Sequence, residues 1–416
     1  MGVIDRSILP VVSALLAEEP VIALQGPRAV GKTTLLRHIA DVHGVQIVDL
    51  DDLATRDAVA NDPTLFVSGP EPVCIDEYQH VPQLLDAIKA ELNRDTRPGR
   101  FIITGSTRHD ALPAAAQSLT GRLHRMTIYP FSQGEIAGTH ERFLDTLLED
   151  AGDLVSATPS TTTRDDYIAR ITAGGFPMAV NRSETARNRW FDDYVNLSLQ
   201  RDVQELSRIR QKEALPRLLA RLAAQTAQLL NIRAVAEQVG LTPDTGENYT
   251  RLLEDTYLIH RLPAWGKTLR ARAVATPKLH LVDAGLAARL LRLSGSKLAR
   301  PDATSLQQFG HLLESFVVLE ILKQASWLDG IAGTGHWRTH DGIEVDLVLE
   351  FDDGRIVAVE VKAGSRIAGR DLNGLRALRH ELGARFVAGV ALHTGQRSYR
   401  QEDRIHVLPV DSLWTL

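Results

Sequence analysis

A single stretch near the start of the sequence restricts the fold more than any other. Residues 26–34 read GPRAVGKTT, which fits the phosphate-binding pattern G-x-x-x-x-G-K-[ST], and they follow the apolar run 21–24. In such a loop, backbone N–H groups wrap the phosphates of a nucleotide, and glycine allows the chain to approach and turn that closely. The pattern needs a strand before it and a helix after it, and the sequence predicts both, with the helix over Thr33–Ala40.

Each residue of the loop has an expected role. We expect Lys32 to reach the β and γ phosphates of ATP and the Thr33 hydroxyl to ligate Mg²⁺. Gly26, Gly31 and Thr34 complete the expected binding loop. The predicted cofactors are therefore ATP and magnesium.

Two acids follow a later strand. The apolar run 73–75 ends in Asp76 and Glu77. Two acids after a strand are alone only a turn signal, but a preceding phosphate loop favours a catalytic role. We expect Asp76 to hold magnesium and Glu77 to orient or deprotonate the attacking water. Short strands that alternate with helices also indicate a parallel sheet covered on both faces.

Length and composition narrow the class of protein. A chain of 416 residues predicts two to four domains at about 150 residues each. No apolar run is long enough to cross a bilayer and no signal peptide is recognisable, so we expect a cytoplasmic protein without a membrane partner. The single cysteine, Cys74, lies in an apolar strand and is expected to pack in the core. The net charge of -5 argues against a generally basic surface for nucleic acid.

Five short motifs follow one another in the first third of the chain. They are the loop 26–34, CIDEYQ at 74–79, IITGS at 102–106, LTGR at 119–122 and YPFSQGE at 129–135. Their succession resembles that of AAA+-type ATP-binding proteins of bacteria and archaea, in which a P-loop ATPase precedes a winged-helix segment and a nuclease-like domain. The resemblance implies that Thr104 or Ser106 senses the γ-phosphate. It also implies that Arg122 reaches a nucleotide in its own subunit or in a neighbour, with a solvated or structural arginine as the alternative.

The middle of the chain predicts helices. A Ser/Thr-rich linker near 156–163 precedes a long helix over 187–210, whose aromatic stripe we interpret as core. Residues 214–262 then predict three helices, with a turn at 240–243 and a strand at 257–259, which is how a winged helix-turn-helix reads.

The charge of this region makes DNA a candidate partner. Residues 201–280 contain 13 Lys and Arg against 8 Asp and Glu. The predicted recognition helix nevertheless carries Asp244 and Glu247 near its start, so packing or a role as a nucleotide lid is an equal alternative. The better electrostatic candidate is a basic loop, although a solvated charged loop is equally compatible with its composition, and its residues are Lys267, Arg270, Arg272 and Lys278.

The C-terminal region predicts a hairpin. Two alternating strands, 343–351 and 355–361, are joined by Asp352–Gly354. A three-residue loop with glycine in the left-handed conformation pairs Phe351 with Arg355. A two-residue loop would slip the register by one residue and separate the polar side chains.

The three-residue loop places Asp346 opposite Glu360 and Glu344 opposite Lys362, with Val345 and the other apolar residues on the opposite face. Two opposed carboxylates repel each other unless a cation lies between them. A divalent metal, Mg²⁺ or Mn²⁺, would remove that cost, and Lys362 could position the attacking water. The alternative is a polar face closed by Glu-Lys pairs.

This hairpin resembles the core of PD-(D/E)xK nucleases, through Asp346 and the run Glu360-Val361-Lys362. The resemblance covers about the last 110 residues and implies an αβ restriction-endonuclease-like fold, with Glu314 as a helix glutamate of the site. Val345 stands where the family name implies proline, and many members keep the fold without cleaving.

Three functions are compatible with these patterns. The first is an ATPase whose nucleotide state controls a metal-dependent DNA nuclease. The second is a nucleotide-dependent switch or DNA-binding regulator whose nuclease-like domain docks a partner, and the third is a protein remodeller that acts as a homo-oligomeric ring. The predicted units are a P-loop ATPase core at 1–136, a linker and helical segment at 137–213, a winged-helix-like domain and connector at 214–304 and a nuclease-like domain at 305–416.

Overall fold

A computed structural model gives the fold and describes residues 4–69, 72–108, 119–206, 211–266 and 276–415. The described chain forms a five-stranded, a three-stranded and a six-stranded sheet from successive parts of the sequence. The chain is therefore mixed α/β, and its N-terminal part is a parallel-sheet domain of the P-loop NTPase type.

The first sheet consists of β1 (Val21–Gln25), β2 (Ile47–Asp49), β3 (Val73–Asp76), β4 (Phe101–Gly105) and β5 (Leu123–Thr127). All its pairings are parallel, and the strand order is β2-β3-β4-β1-β5. Every residue of β1 and β4 is buried, as in parallel sheets with both faces covered. The carboxyl ends of β1, β3 and β4 lie at one edge of the sheet, so the loops that follow them meet there.

The described helices that accompany this sheet are α1 (Leu9–Leu15), α2 (Lys32–His43), α3 (Leu53–Asn61), α4 (Pro63–Val67) and α5 (Leu84–Leu92). The predicted helix after the phosphate loop is thus confirmed as α2, which ends at Gly44 in the left-handed conformation. Cys74 is buried as expected, and burial raises the pKa of its thiol to about 11.

The next part of the chain is helical: α6 (Gln133–Ala137), α7 (Phe143–Asp150), α8 (Arg164–Ala173), α9 (Pro177–Val180) and α10 (Glu184–Leu206). The interpretation of the aromatic stripe as core is confirmed. The rings of Trp190 and Tyr194 stack with centroids 5.1 Å apart, and Phe176 packs on Tyr194 at 4.8 Å.

Three helices and a small antiparallel sheet follow: α11 (Ala214–Ala223), β6 (Gln228–Leu229), α12 (Ile232–Gln238), α13 (Pro243–Asp255), β7 (Ile259–Leu262) and β8 (Lys278–Leu281). The sheet order is β6-β8-β7. Helix α13 packs closely on α12 because Gly246 has no side chain; a Cβ there would lie 2.5 Å from Cβ of Ala236. The predicted three helices are present, while the winged-helix assignment itself stays a prediction.

Helices α14 (Ala284–Leu290), α15 (Gly295–Leu298) and α16 (Ala303–Ala325) connect to the last sheet. Helix α16 begins at Ala303 because Asp302 caps it, with its carboxylate accepting from the Ser305 nitrogen at 3.0 Å. Although α16 has 23 residues, neither it nor any other helix in the described ranges is long and apolar enough to span a membrane.

The last sheet contains β9 (Ile331–Arg338), β10 (Glu344–Phe351), β11 (Ile356–Lys362), β12 (Phe386–His393), β13 (Tyr399–Glu402) and β14 (Ile405–Pro409), with helices α17 (Asn373–Leu382) and α18 (Ser412–Thr415). The strand order is β13-β14-β12-β11-β10-β9. Strand β12 runs parallel to both β11 and β14. One face of the sheet packs against α16 and the other against α17.

The register of the predicted hairpin is confirmed. Leu347 pairs with Val359, and the Phe351 nitrogen donates to the Arg355 oxygen at 3.0 Å. Gly354 has φ +81°, as a three-residue loop with a left-handed glycine requires, so the two-residue alternative is wrong.

Val345 departs from the predicted alternation of faces. The register between β10 and β9 shifts between Val345 and Val348. Both residues pack in the cluster beside α17, whereas Leu347 packs on the side of α16. A β-bulge produces this departure, because an extra residue in one strand changes the face of the next side chain.

Candidate functional site

The loop at residues 26–34 has the backbone geometry that its glycines predict. Gly26 has φ +155°, and a Cβ there would lie 2.2 Å from the main-chain oxygen of Ile128. Gly31 has φ +95° and directly precedes α2. The loop therefore opens onto a helix N-terminus, where free N–H groups and the helix dipole favour phosphate.

Lys32 lies against its own loop. Its Nζ donates to the main-chain oxygens of Gly26 and Pro27, each at 2.9 Å, and the residue is buried. An ammonium in this position is beside the phosphate-binding backbone. Thr34, which directly follows the eight residues of the pattern, lines a cavity next to the loop.

Asp76 lies at the end of β3 and forms hydrogen bonds with two hydroxyls. Thr104, at the end of β4, donates to its Oδ1, and Thr33 also bonds to its carboxylate. Burial raises the pKa of Asp76, and the bonds from Thr104 and Thr33 oppose that shift. Because Thr33 and Asp76 are in direct contact, their oxygens are within reach of one cation, and the pair fits the expected magnesium ligands.

Glu77 is held in place by the polar end of β4. Its main-chain nitrogen donates to Thr104 Oγ1 at 3.2 Å, and its Oε2 accepts from Ser106 Oγ at 2.9 Å. Burial opposes ionisation, but the charges of Lys32 and Arg28, with side-chain hydrogen bonds, keep the pKa of Glu77 below its ordinary value. Its φ of +53° is a strained conformation for a residue with a side chain, and such strain is common at functional sites.

Gln79 is a site residue that sequence reasoning missed. Its Nε2 donates to Glu77 and to Ser106 Oγ, the latter at 3.0 Å. It therefore orients the two residues that were expected to act near the γ-phosphate. The signal available in the sequence was its position two residues after Glu77. In the structure it lies in a short turn of 3₁₀ helix over 78–80.

Arg122 lies at the opposite edge of the sheet from the loop. It directly precedes β5, whose first residue pairs with Val21 at the start of β1, whereas the loop follows the end of β1. A five-residue strand spans about 16 Å. Nη1 of Arg122 donates to Asn93 Oδ1 at 2.8 Å. The expectation that Arg122 reaches the nucleotide of its own subunit is therefore wrong, whereas a role in a neighbouring subunit and a structural role both stay predictions.

An apolar cavity of about 320 Å³ adjoins the loop. Arg6 fixes its wall, because the guanidinium donates to the main-chain oxygens of Val30 and Tyr129, both at 2.9 Å, and to Glu135 at 3.0 Å. No sequence motif indicated this use of Arg6. The apolar lining residues are Ile4, Leu9, Val30, Leu35, Phe131 and Pro177.

The predicted C-terminal carboxylates do come together, around a lysine that was not expected there. Nζ of Lys278 lies 2.7 Å from Glu314 Oε1 and 2.8 Å from Asp346 Oδ1. Lys362 Nζ donates to Glu360 Oε1 at 2.6 Å, so one Glu-Lys pair of the polar-face alternative is present.

The charges of this cluster are buried. Burial, together with Asp346, raises the pKa of Glu314 to about 8 and holds the pKa of Glu360 well above its ordinary value. Burial alone would lower the pKa of Lys278, but the charges of Asp346 and Glu314 raise it. Lys278 therefore carries a positive charge at neutral pH. Because its ammonium lies between two of the expected ligands, the cluster in this arrangement does not fit a divalent metal.

This position corrects the expectation for Lys278. It was grouped with Lys267, Arg270 and Arg272 as a basic loop for DNA, but it is buried among carboxylates. The other three residues lie outside the described part of the chain.

In the predicted recognition helix α13, Glu247 is engaged within the chain. Its Oε1 accepts from Arg261 Nη1 at 2.8 Å. This ion pair neutralises one acidic charge that would repel DNA, but it also neutralises Arg261, a positive charge of the same region.

Comparisons with known proteins divide the chain into three matched parts. Residues 18–137 match the family described as AAA domain, residues 164–297 match a domain of unknown function (DUF8612), and residues 309–413 match another (DUF4143). Two relatives, the uncharacterized proteins Rv2008c of Mycobacterium tuberculosis and Mb2031c of Mycobacterium bovis, are each 28% identical over 399 residues, which cover 95% of this chain and 81% of theirs.

Among solved structures, the chain is similar to the Walker-type ATPase PABY2304 of Pyrococcus abyssi. The identity is 14% and the TM-score is 0.40, and the match covers 69% of this chain and 96% of that one. The RuvB Holliday junction branch migration motor of Thermotoga maritima matches at 17% identity and a TM-score of 0.30, covering 62% and 89%. The AAA-domain match coincides with the parallel sheet and its phosphate loop. Sequence similarity and site geometry together support an AAA-type ATP-binding protein.

Proposed function

We propose that this protein binds and hydrolyses ATP and acts as a nucleotide-dependent switch. The observation that carries the proposal is the hydrogen-bonded set around the phosphate loop, in which Asp76 bonds to the hydroxyl of Thr104 in β4 and Glu77 bonds to the hydroxyl of Ser106 directly after β4. This set supports the proposal because hydrogen bonds fix both acids at the end of the sheet where the phosphate loop also lies.

The residues have distinct proposed roles. Thr33 and Asp76 would hold magnesium, which neutralises phosphate charge when bound. Lys32 exchanges its bonds to the loop oxygens for bonds to phosphate. Glu77 orients the attacking water and accepts its proton, and its lowered pKa keeps it ionised for that task. Thr104 and Ser106 sense the γ-phosphate, because each bonds directly to an acid of the site.

The apolar cavity beside Thr34 is the proposed site of the nucleobase. Its apolar lining and its volume of about 320 Å³ suit a flat heterocycle, and the adjoining loop would hold the phosphates. Arg6 contacts the loop oxygen of Val30, so the N-terminal segment would respond to an occupied site.

The switch proposal rests on bonds between the loop and the middle of the chain. Gln25, the last residue before the loop, donates to Tyr78 Oη at 3.0 Å and accepts from Tyr257 Oη at 3.3 Å. Tyr257 lies between α13 and β7, so a rearrangement at the loop changes the contacts of the small sheet.

Two variants test ATP hydrolysis separately from ATP binding. Lys32→Ala is expected to abolish ATP binding in calorimetric titration. Glu77→Gln should retain binding while its turnover falls about 100- to 10,000-fold. Lys89→Ala, an exposed lysine of α5, serves as the control and should behave as wild type. Normal turnover in both site variants would refute the proposal.

A second candidate function is a DNA nuclease under nucleotide control. The observation that favours it is the gathering of Glu314, Asp346, Glu360 and Lys362. Lys278 would have to leave this cluster before Mg²⁺ or Mn²⁺ could enter. Cleavage of single-stranded, duplex and branched DNA with either metal, with and without ATP, tests this candidate. DNA cleavage that is lost in Asp346→Ala and altered in Lys32→Ala would support the nuclease. If the DNA stays intact under all conditions, the nuclease is ruled out and the nucleotide-dependent switch is the remaining function.

A further inference from the structure

The lysine in the C-terminal cluster belongs to another part of the fold. Lys278 is the first residue of β8 and pairs with Leu262 of β7 and Leu229 of β6. Its side chain nevertheless ends beside Asp346 of the six-stranded sheet and Glu314 of α16. The contact thus joins the small antiparallel sheet to the C-terminal sheet.

The cluster already satisfies most of the oxygens that a metal would use. Nζ of Lys278 donates to Asp346 Oδ1 and Glu314 Oε1. The main-chain nitrogen of Val361 donates to Asp346 Oδ2 at 2.9 Å. Lys362 donates to Glu360 Oε1, and Glu360 Oε2 is buried without a hydrogen-bond partner among the residues that the structure describes. Both oxygens of Asp346 are therefore engaged within the protein.

A metal and this ammonium compete for the same space. Mg²⁺ or Mn²⁺ between Asp346 and Glu314 would lie about 2.0–2.3 Å from their oxygens, and Nζ of Lys278 lies at contact distance from the same two oxygens. A divalent ion would then stand within a few Å of a buried positive charge. Two positive charges in one small, poorly solvated site repel each other strongly, so the metal and the ammonium cannot occupy the site together.

We propose that Lys278 is the cation of this cluster, in the place where a metal was expected, and that it pins the small sheet to the C-terminal sheet. The assignment goes beyond the proposed ATP-dependent function and does not require it. If the protein is a nuclease, the Lys278 side chain must first move out of the cluster before a metal can enter.

The first test compares Mn²⁺ binding by the wild-type protein and Asp346→Asn, followed by electron paramagnetic resonance without nucleotide. The two proteins are expected to bind the same amount of Mn²⁺. A wild-type site that disappears in Asp346→Asn would overturn the assignment, and this comparison needs no lysine variant.

The second test removes the charge. Lys278→Met should lower the melting temperature by roughly 10 °C, because buried carboxylates lose their cation. Adding Asp346→Asn should recover part of that loss, and Mn²⁺ should raise the melting temperature of Lys278→Met but not of the double variant. Lys89→Met, an exposed lysine, is the matched control and should show neither effect. Additive losses for Lys278→Met and Asp346→Asn would contradict the assignment. The Lys32→Ala measurement of ATP binding stands apart from all of these outcomes.

Discussion

A carboxylate oxygen of Glu320, in α16, accepts a hydrogen bond of 2.7 Å from the main-chain nitrogen of Gln133, at the start of α6. Lys323, one turn further along α16, bonds to Glu320 and donates to the Phe131 oxygen at 2.9 Å. All these side chains are buried. The helix of the C-terminal sheet is thereby bonded to the segment that follows β5 of the ATP-binding sheet.

Removing the charge of Glu320 should weaken this junction. Glu320→Gln is expected to destabilise the protein by about 3 kcal/mol or more, because it leaves the buried ammonium of Lys323 without its ionic partner. Chemical denaturation monitored by tryptophan fluorescence measures the loss. Glu149→Gln, an exposed glutamate of α7, should change stability by less than about 0.5 kcal/mol. Equal effects of the two substitutions would argue against a stabilising junction.

Stability should depend on pH through a neighbouring carboxyl group. Burial, with the charge of Glu320, raises the pKa of Glu141 to about 7, against hydrogen bonds from Ser132 and Gly134. The folded state therefore holds a proton that the unfolded state releases near pH 4.5, so this contribution to stability decreases as the pH rises from about 4.5 to 7. Melting temperatures measured across this range should fall less in Glu141→Gln than in wild type. An unchanged pH profile in that variant would remove Glu141 as the cause.

Arg122 should matter only between subunits. Its distance from the loop of its own chain predicts that Arg122→Ala lowers ATP turnover at least tenfold only if the protein assembles, and that specific activity then rises with protein concentration. Arg97→Ala is a matched control, because Arg97 is exposed and precedes β4 at the same edge of the sheet. Specific activity independent of concentration, with normal turnover in Arg122→Ala, would rule out this role.

The approach of Gly26 to Ile128 predicts a strict requirement for glycine. Gly26→Ala puts a carbon 2.2 Å from a main-chain oxygen, so the loop must move, and ATP affinity should fall at least tenfold, or about 1.4 kcal/mol. Gly44→Ala is a fitting comparison, since Gly44 also has positive φ but open space around it. That variant should lose about 1 kcal/mol of stability and keep its ATP affinity. Comparable affinity losses in both variants would show that backbone strain, not the contact with Ile128, is responsible.

The local patterns were predictable from the sequence wherever short-range geometry decides them. The phosphate loop needed only its glycines and flanking elements, and the register that pairs Leu347 with Val359 followed from the loop Asp352–Gly354. Neither depends on how distant parts of the chain pack.

The missed features depend on packing between distant segments. Lys278 is 68 residues from Asp346 in the chain, and its strand alone indicates only an alternation of faces. Arg6 likewise meets Glu135 across 129 residues. The bulge at Val345 was hidden as well, because it arises from the pairing with β9 rather than from the hairpin that the turn defines. The parallel pairing of β12 with β11 and β14 was also not anticipated, since β12 reaches β11 only through the crossover that contains α17.

Helix α16 has a mechanical consequence. Glu314, bonded to Lys278, and Glu320, bonded to Gln133, are six residues apart on it, or about 9 Å along its axis. A continuous, mostly buried helix does not stretch, so a shift imposed at either end is carried to the other without loss. Helix α16 thus connects the carboxylate cluster to the segment that follows the ATP-binding sheet, and a displacement of one along the helix axis should move the other as well.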